Sequence, residues 1–213
     1  MFISKKNLIT AAALSVVALV LVAIIATNLI RGHRKKVEDD RIAGLIADGT
    51  VQLREALGKA PTSAAVAKLD EYVQTAKTSP NHEKGSAAEA YLLNARGIAR
   101  QRAESERLAR EAAATRSALA SHMARAERRN TTWLRNATEL KRRVEESHAE
   151  LERSFKSLDA LLNNLPDTEK QLSAHVAASA LLEPGEIDAA RKRVQQDSQR
   201  AAAELEQVRR IVP

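Results

Sequence analysis

The sequence contains no cysteine and very few aromatic residues, glycines or prolines. Of 213 residues, 7 are Gly and 5 are Pro, and aromatic side chains make up 2% of the chain. The lack of Cys excludes disulfides, thiolate metal sites and cysteine nucleophiles. The scarcity of aromatics argues against a thick globular core, because large side chains supply most of the buried apolar area in such cores. We therefore expect narrow helix–helix interfaces that are built largely from small residues.

The residues that are abundant are those of long helices. Charged residues make up 29% of the chain, and Ala, Glu, Leu, Arg and Lys are frequent. This composition is typical of long helices and coiled coils. Runs of β-branched residues occur only near the N-terminus, so we predict an all-α fold. The Ala- and Arg-rich composition favours a bacterial origin.

An uncharged apolar run extends from Leu8 to Ile30. As a helix it would measure about 34 Å, enough to cross a ~30 Å hydrocarbon core. The apolar core of a secretory signal is shorter, about 7–15 residues, and a cut after Ala26 would put Ile24 where a small residue is expected. A buried core helix would need a large apolar partner surface, which the remaining sequence lacks. We predict an uncleaved transmembrane anchor within residues 1–31, whose apolar positions include Leu8, Leu14, Val20, Ile25 and Ile30.

Basic residues flank this run on both sides. Lys5 and Lys6 precede it, and four basic residues follow it, namely Arg31, Arg34, Lys35 and Lys36. Lys and Arg near the end of a membrane helix favour the cytoplasmic side, so the larger group places the soluble part in the cytoplasm. The short basic N-terminus resembles a signal-anchor and indicates the periplasm instead. We predict a single-pass protein of the cell (inner) membrane, with the cytoplasm slightly favoured and the periplasm left open.

Residues 32–85 predict a small membrane-proximal segment of two helices. Apolar residues recur at helical spacing over 37–58, and Gly58 and Pro61 end that helix. A second helix is predicted over 62–78, and Pro80 then breaks the chain. The stretch "SAAE" at 86–89 has the pattern of a capping box and predicts the start of the next helix at Ser86.

Residues 86–213 predict a long helix and its return. No proline occurs between Ser86 and Pro166, so we expect one helix of about 80 residues, or about 120 Å. Apolar residues alternate by three and four, with one extra spacing of four after Ala126, which predicts a coiled-coil seam with one stutter. The predicted seam consists of Ala126, Asn130, Trp133, Ala137, Leu140, Val144, Leu151, Leu158 and Leu161 on the long helix and Ile187, Val194, Ala201, Leu205 and Val208 on the last helix, and it also passes through Ser147 and Ser154.

A turn at Pro166 would fold this segment into an antiparallel coiled-coil hairpin. Short helix–helix loops then place Val144 opposite Ile187 and Ala137 opposite Val194. Asn130 would be a buried polar residue of the seam, so its replacement by Leu is expected to stabilise the hairpin. The predicted domains are an anchor (1–31), a membrane-proximal segment (32–85) and a coiled-coil stalk (86–213).

Motifs that carry chemistry are lacking. The five His residues do not have the spacing of a zinc site, and no phosphate-binding glycine loop is present. We therefore predict neither an enzyme nor a cofactor. The basic stretch 126–143 resembles a nucleic-acid surface in charge alone. Because acidic residues interrupt it and Trp133 falls on the seam, a solvated helix face is favoured and nucleic acid is not an expected partner.

Three functions are compatible with this pattern. The first is a membrane-anchored coiled-coil scaffold or adaptor that docks protein partners or spaces a complex from the bilayer. The second is a helical sensory module, and the third is a phage-lysis role, since inner-membrane spanins also join an N-terminal anchor to a charged coiled coil. The expected partners are the lipid bilayer and proteins of unknown identity, and a homo-oligomer is compatible with all three functions.

Overall fold

A computed structural model describes residues 5–58, 63–125, 130–177 and 181–211, with side chains between residues 27 and 210 of these ranges. Within them the chain forms helices and no strand, which confirms the all-α prediction. The helices are α1 (Lys5–Gly58), α2 (Ser63–Lys77), α3 (His82–Met123), α4 (Thr131–His175) and α5 (Pro184–Ile211).

The chain divides into two compact units, Met1–Ile42 and Ala43–Pro213. The predicted boundaries of three domains at residues 31 and 85 stay predictions. In the first unit the four predicted basic residues, Arg31, Arg34, Lys35 and Lys36, are exposed, and Ile30 is 55% exposed. Leu8, Leu14, Val20 and Ile25 lie outside the residues whose side chains are described, so their role as an anchor stays a prediction.

Over the described part of the chain, no helix combines the length and the apolar character that a membrane crossing requires.

The second unit is a helical bundle in which α3 and α4 form the largest interface, and α2 packs on α3 and α5 on α4. The direction of α3 against α4 follows from contacts at the two ends. Asn94 near the start of α3 meets Thr168 near the end of α4, whereas His122 at the end of α3 meets Trp133 at the start of α4. The two helices are therefore antiparallel neighbours.

This pairing corrects the prediction of one helix over 86–165. The helix ends at Met123, and a new helix begins at Thr131 after Asn130, whose side-chain oxygen accepts a hydrogen bond from the amide of Thr132 at 2.9 Å. Asn130 is an N-cap, exposed to solvent, and not a buried seam residue. The extra spacing that was interpreted as a stutter marks the reversal of the chain. Ala126 lies outside the described residues.

Pro166 lies inside α4 and does not form a turn. A proline in a helix removes one backbone donor and leaves the carbonyl four residues earlier without its partner. Here that carbonyl belongs to Leu162, a fully buried residue, and Arg191 of α5 donates to it from Nη2 at 3.3 Å. The predicted turn was wrong because a side chain from another helix replaces the missing donor.

The predicted pairing of α4 with the last helix was also wrong in register. Arg191 lies beside Leu162, and Arg209 lies 3.8 Å from Glu145, so the two helices are antiparallel but displaced from the predicted alignment. Val144 and Ala137 consequently share a cluster with Val208 and with Leu119 of α3, not with Ile187 and Val194.

Most predicted seam positions are nevertheless buried or half-buried. The buried ones are Trp133, Ala137, Val144, Leu151, Leu158, Ile187, Val194 and Val208, and the half-buried ones are Leu140, Leu161, Ala201 and Leu205.

Candidate functional site

The interface between α3 and α4 contains polar side chains that bond to one another. Ser105 Oγ donates to the carbonyl of Gln101 at 2.8 Å, so the hydroxyl of Ser154 donates to Ser105 Oγ, also at 2.8 Å. Gln101 Nε2 in turn donates to Ser154 Oγ at 2.7 Å. Every hydroxyl in this group has a partner, which is the condition for burying polar groups without a large loss of stability.

His122 and Trp133 connect α3 and α4 at the end of the pair where α3 ends and α4 begins. Trp133 Nε1 donates to the carbonyl of His122 at 3.1 Å, and His122 Nε2 lies 2.9 Å from the carbonyl of Trp133. Because a carbonyl only accepts, Nε2 of His122 carries a proton. The rings stack with centroids 5.1 Å apart and an angle of 15° between planes, and this contact joins the end of α3 to the first turn of α4.

Tyr91 and Thr50 join α3 to α1 at the other end of the second unit. Thr50 Oγ1 donates to the carbonyl of Ile46 at 2.8 Å, so the Tyr91 hydroxyl donates to Thr50 Oγ1, again at 2.8 Å. Both side chains are fully buried. Burial raises the pKa of Tyr91 to about 12, although the hydrogen bond to Thr50 acts in the opposite direction. Tyr91 therefore stays neutral and acts as a donor at neutral pH.

The start of α5 is docked by arginines. Arg54 of α1 pairs with both carboxylate oxygens of Glu186, at 2.7 and 3.1 Å. Glu186 also accepts the amide hydrogen of Glu183 at 2.9 Å, which caps α5. Arg193 Nη1 donates to the carbonyl of Leu57 in the last turn of α1, at 3.3 Å. These bonds, together with that from Arg191, fix the first three turns of α5.

The second half of α5 is connected to the bundle by ion pairs. Two ion pairs connect it to α3, Arg116–Glu204 at 2.5 Å and Arg102–Asp197 at 3.6 Å. Small residues such as Ala201 face the bundle here, and they leave a groove of about 250 Å³ between α3, α4 and α5. A second cleft of about 290 Å³ lies between this part of α5 and α4.

His148 lies on α4 beneath this half of α5. It is 4% exposed, and its Nε2 has no hydrogen-bond partner among the described residues. Burial lowers the pKa of His148 below its usual range, Arg116 lowers it further, and Glu204 opposes both effects. A neutral imidazole therefore suits this position, and an imidazolium does not.

The polar residues described above connect neighbouring helices to one another. Among the residues that the structure describes, no three His, Asp or Glu side chains form a group that could hold a metal ion. Sequence reasoning missed the roles of Arg191 and His148. It placed Ser147 on the seam, whereas the structure buries the next residue, His148. The period of 3.5 was right, and the buried apolar residues Phe155 and Leu162, which follow His148 at heptad spacing, were the signal that could have found it.

Comparison with family models, with curated proteins and with solved structures finds no match for this chain.

Proposed function

We propose that this protein is a membrane-anchored helical scaffold that docks protein partners or spaces a complex from the bilayer. The observation that supports it most is the fixed register of α3 and α4. Side-chain hydrogen bonds join the two helices at residues 94, 105 and 122 of α3. These levels span about 42 Å of helix. Contacts at several levels make the pair stiff, and stiffness over this length is what a spacer requires.

The outer faces of the bundle suit transient docking. Arg107 pairs with Glu104 and Glu111, and Arg142 pairs with Glu139 at 2.7 Å. Exposed pairs of this kind add little to the stability of a helix, because solvent screens them. They keep the faces soluble and can exchange for charges on a partner at little cost.

The membrane anchor in this proposal rests on the sequence. The run from Leu8 to Ile30 is uncharged and long enough to cross a bilayer. The exposed basic residues that follow it, Arg31 and Arg34 among them, suit the headgroup region. The partners are the bilayer and other proteins, a second copy of this chain included.

Membrane association can be tested by fractionating bacterial cells that express the full chain. We expect the protein in the membrane pellet after carbonate extraction. Replacing Leu14 and Val20 together by Arg should release it, because each central charge costs about 2.5–3.5 kcal/mol in insertion. Leu134→Arg is the matched control, since Leu134 is 55% exposed on α4. A soluble wild type, or a double variant that stays in the pellet, contradicts the anchor.

Docking can be tested with a photo-activated cross-linking residue placed at Leu134 or Leu93, both exposed. We expect discrete adducts in cells from these positions and none from buried Leu158. Absence of adducts from every exposed position on α3, α4 and α5 would refute the docking role. A reporter that is active in one compartment, fused after Pro213, identifies the side of the membrane on which those partners lie.

A further inference from the structure

The C-terminal half of α5 covers His148, a buried imidazole with an unpaired nitrogen. We propose that this half of α5 is a pH-sensitive latch, closed over α4 while His148 is neutral and released when His148 takes up a proton. This device does not depend on the membrane anchor. It regulates which face of α4 the bundle presents.

The imidazole of His148 is shielded by α5, although a cleft of about 290 Å³ lies beside it. The walls of this cleft include the apolar Phe155, Ala201 and Leu205 and the polar Glu152, Ser198, Glu206 and Arg209, and His148 itself is 4% exposed. Nε2 has no partner among the described residues. A second proton would therefore charge a ring whose Nε2 is buried and unpaired, which is unfavourable. Movement of α5 admits water and relieves that penalty.

The charged groups near His148 compensate for this charge only in part, since burial and Arg116 oppose it and Glu204 favours it. Arg116 of α3 approaches it as a like charge. Every carboxylate nearby already has a cation: Glu204 has Arg116 and Arg200, Glu206 and Glu145 share Arg209, and Glu152 has Lys156. Protonation of His148 thus adds a cation to a group of charges that is already paired.

The two halves of α5 differ in how firmly they are held. The first half has Arg54–Glu186 and the donors Arg191 and Arg193. Clefts lie beside both halves, of about 200 and 580 Å³ at the first half and of about 250 and 290 Å³ at the second. The second half is connected to α3 and α4 by ion pairs between side chains, whereas arginines of the first half donate to backbone carbonyls. Water can replace such ion pairs at little cost, so the second half can open while the first half stays docked. Opening would expose Phe155 and Leu151, which line these clefts.

The direction of the pH effect follows from linkage. The closed state lowers the pKa of His148, whereas an exposed histidine has a pKa of about 6.5. The closed state is therefore fully favoured above that value and loses stability as pH falls toward the lowered pKa. Within this window the ratio of open to closed molecules rises by up to about tenfold for each pH unit.

Paired labels on the full chain can measure this opening. The absence of Cys allows Ala149→Cys and Ala203→Cys, both exposed, to be spin-labelled without background. We expect a longer-distance population that grows reversibly between pH 7.5 and pH 5.5. In His148→Gln, which cannot be protonated, this growth should disappear. His175→Gln is the matched control, because His175 is exposed on the same helix and its loss should change nothing.

A second label pair, Ala160→Cys with Ala189→Cys, reports on the docked half of α5. Its distance should stay constant over the same pH range. Three results would overturn the latch: a wild-type distance at the first pair that does not change with pH, equal pH curves for the wild type and His148→Gln, or opening of both pairs together. The wild-type measurement requires no substitution at His148. It can therefore refute the proposal even if His148→Gln folds poorly.

Discussion

The carbonyl of Leu162 provides the most specific test of how α4 and α5 fit together. Pro166 deprives this buried carbonyl of its helical donor, and Arg191 replaces that donor at 3.3 Å. Arg191→Met keeps the length of the side chain and removes the donor. A lost hydrogen bond from a charged group costs about 1.5–3 kcal/mol. For a chain of this size, a loss of about 2 kcal/mol corresponds to a Tm lower by about 4–8 °C.

Pro166→Ala should remove the need for Arg191. Alanine restores the amide donor at position 166, which can bond to Leu162 within α4. Arg191→Met should then cost less than about 0.5 kcal/mol in the Pro166→Ala background. The cost of Arg191→Met with proline at position 166, minus its cost with alanine there, is a coupling energy of about 1.5 kcal/mol. It is obtained from urea unfolding, followed by circular dichroism, of the wild type, the two single variants and the double variant.

Arg193→Met is the matched control for this cycle. Arg193 also donates from α5 to a carbonyl, but its acceptor is Leu57 of α1 at 3.3 Å. Its effect should add to that of Pro166→Ala within about 0.5 kcal/mol, because the two sites share no partner. If Arg191→Met costs the same with proline and with alanine at position 166, the assignment of Arg191 as the replacement donor is wrong.

Three further substitutions test local packing and capping, each by thermal unfolding. Gly85→Ala should destabilise the bundle by about 1–3 kcal/mol, because an added Cβ would lie 2.8 Å from Ser79 Cβ and 3.0 Å from the carbonyl of Ala76. Gly44→Ala, with nothing within 4 Å of its Cβ, should instead stabilise helix α1 by about 0.5–1 kcal/mol, and equal effects at both glycines would contradict this reading. Asn130→Leu should lower stability by about 1 kcal/mol through loss of the N-cap, whereas a rise in stability would support the buried seam position first expected of Asn130.

The predicted seam shows how many buried positions the spacing of apolar residues can identify. On α4 the predicted positions Trp133, Ala137, Val144 and Leu151 are buried, because an apolar residue at helical spacing is buried whichever helix becomes its neighbour. At two other predicted positions, Ser147 and Leu161, the side chain is only half-buried, and the next residue, His148 or Leu162, is buried instead. The buried residues of this region still alternate by four and three, so the predicted period was right. The error was of one residue at every second position, because a helix with neighbours on two sides buries a stripe wider than a two-helix seam.

The sequence by itself determined the helical class, the ends of α1 and α2 near Gly58 and Lys77, and most of the apolar positions. These depend on composition, on helix-breaking residues and on spacing, which are local properties. Only the tertiary structure decided where the chain reverses and which helices are neighbours. Asn130 could cap a helix or lie in a seam, and Pro166 could end a helix or stay inside one. Contacts from distant residues settled both: the His122–Trp133 pair fixed the reversal, and Arg191 kept Pro166 within α4.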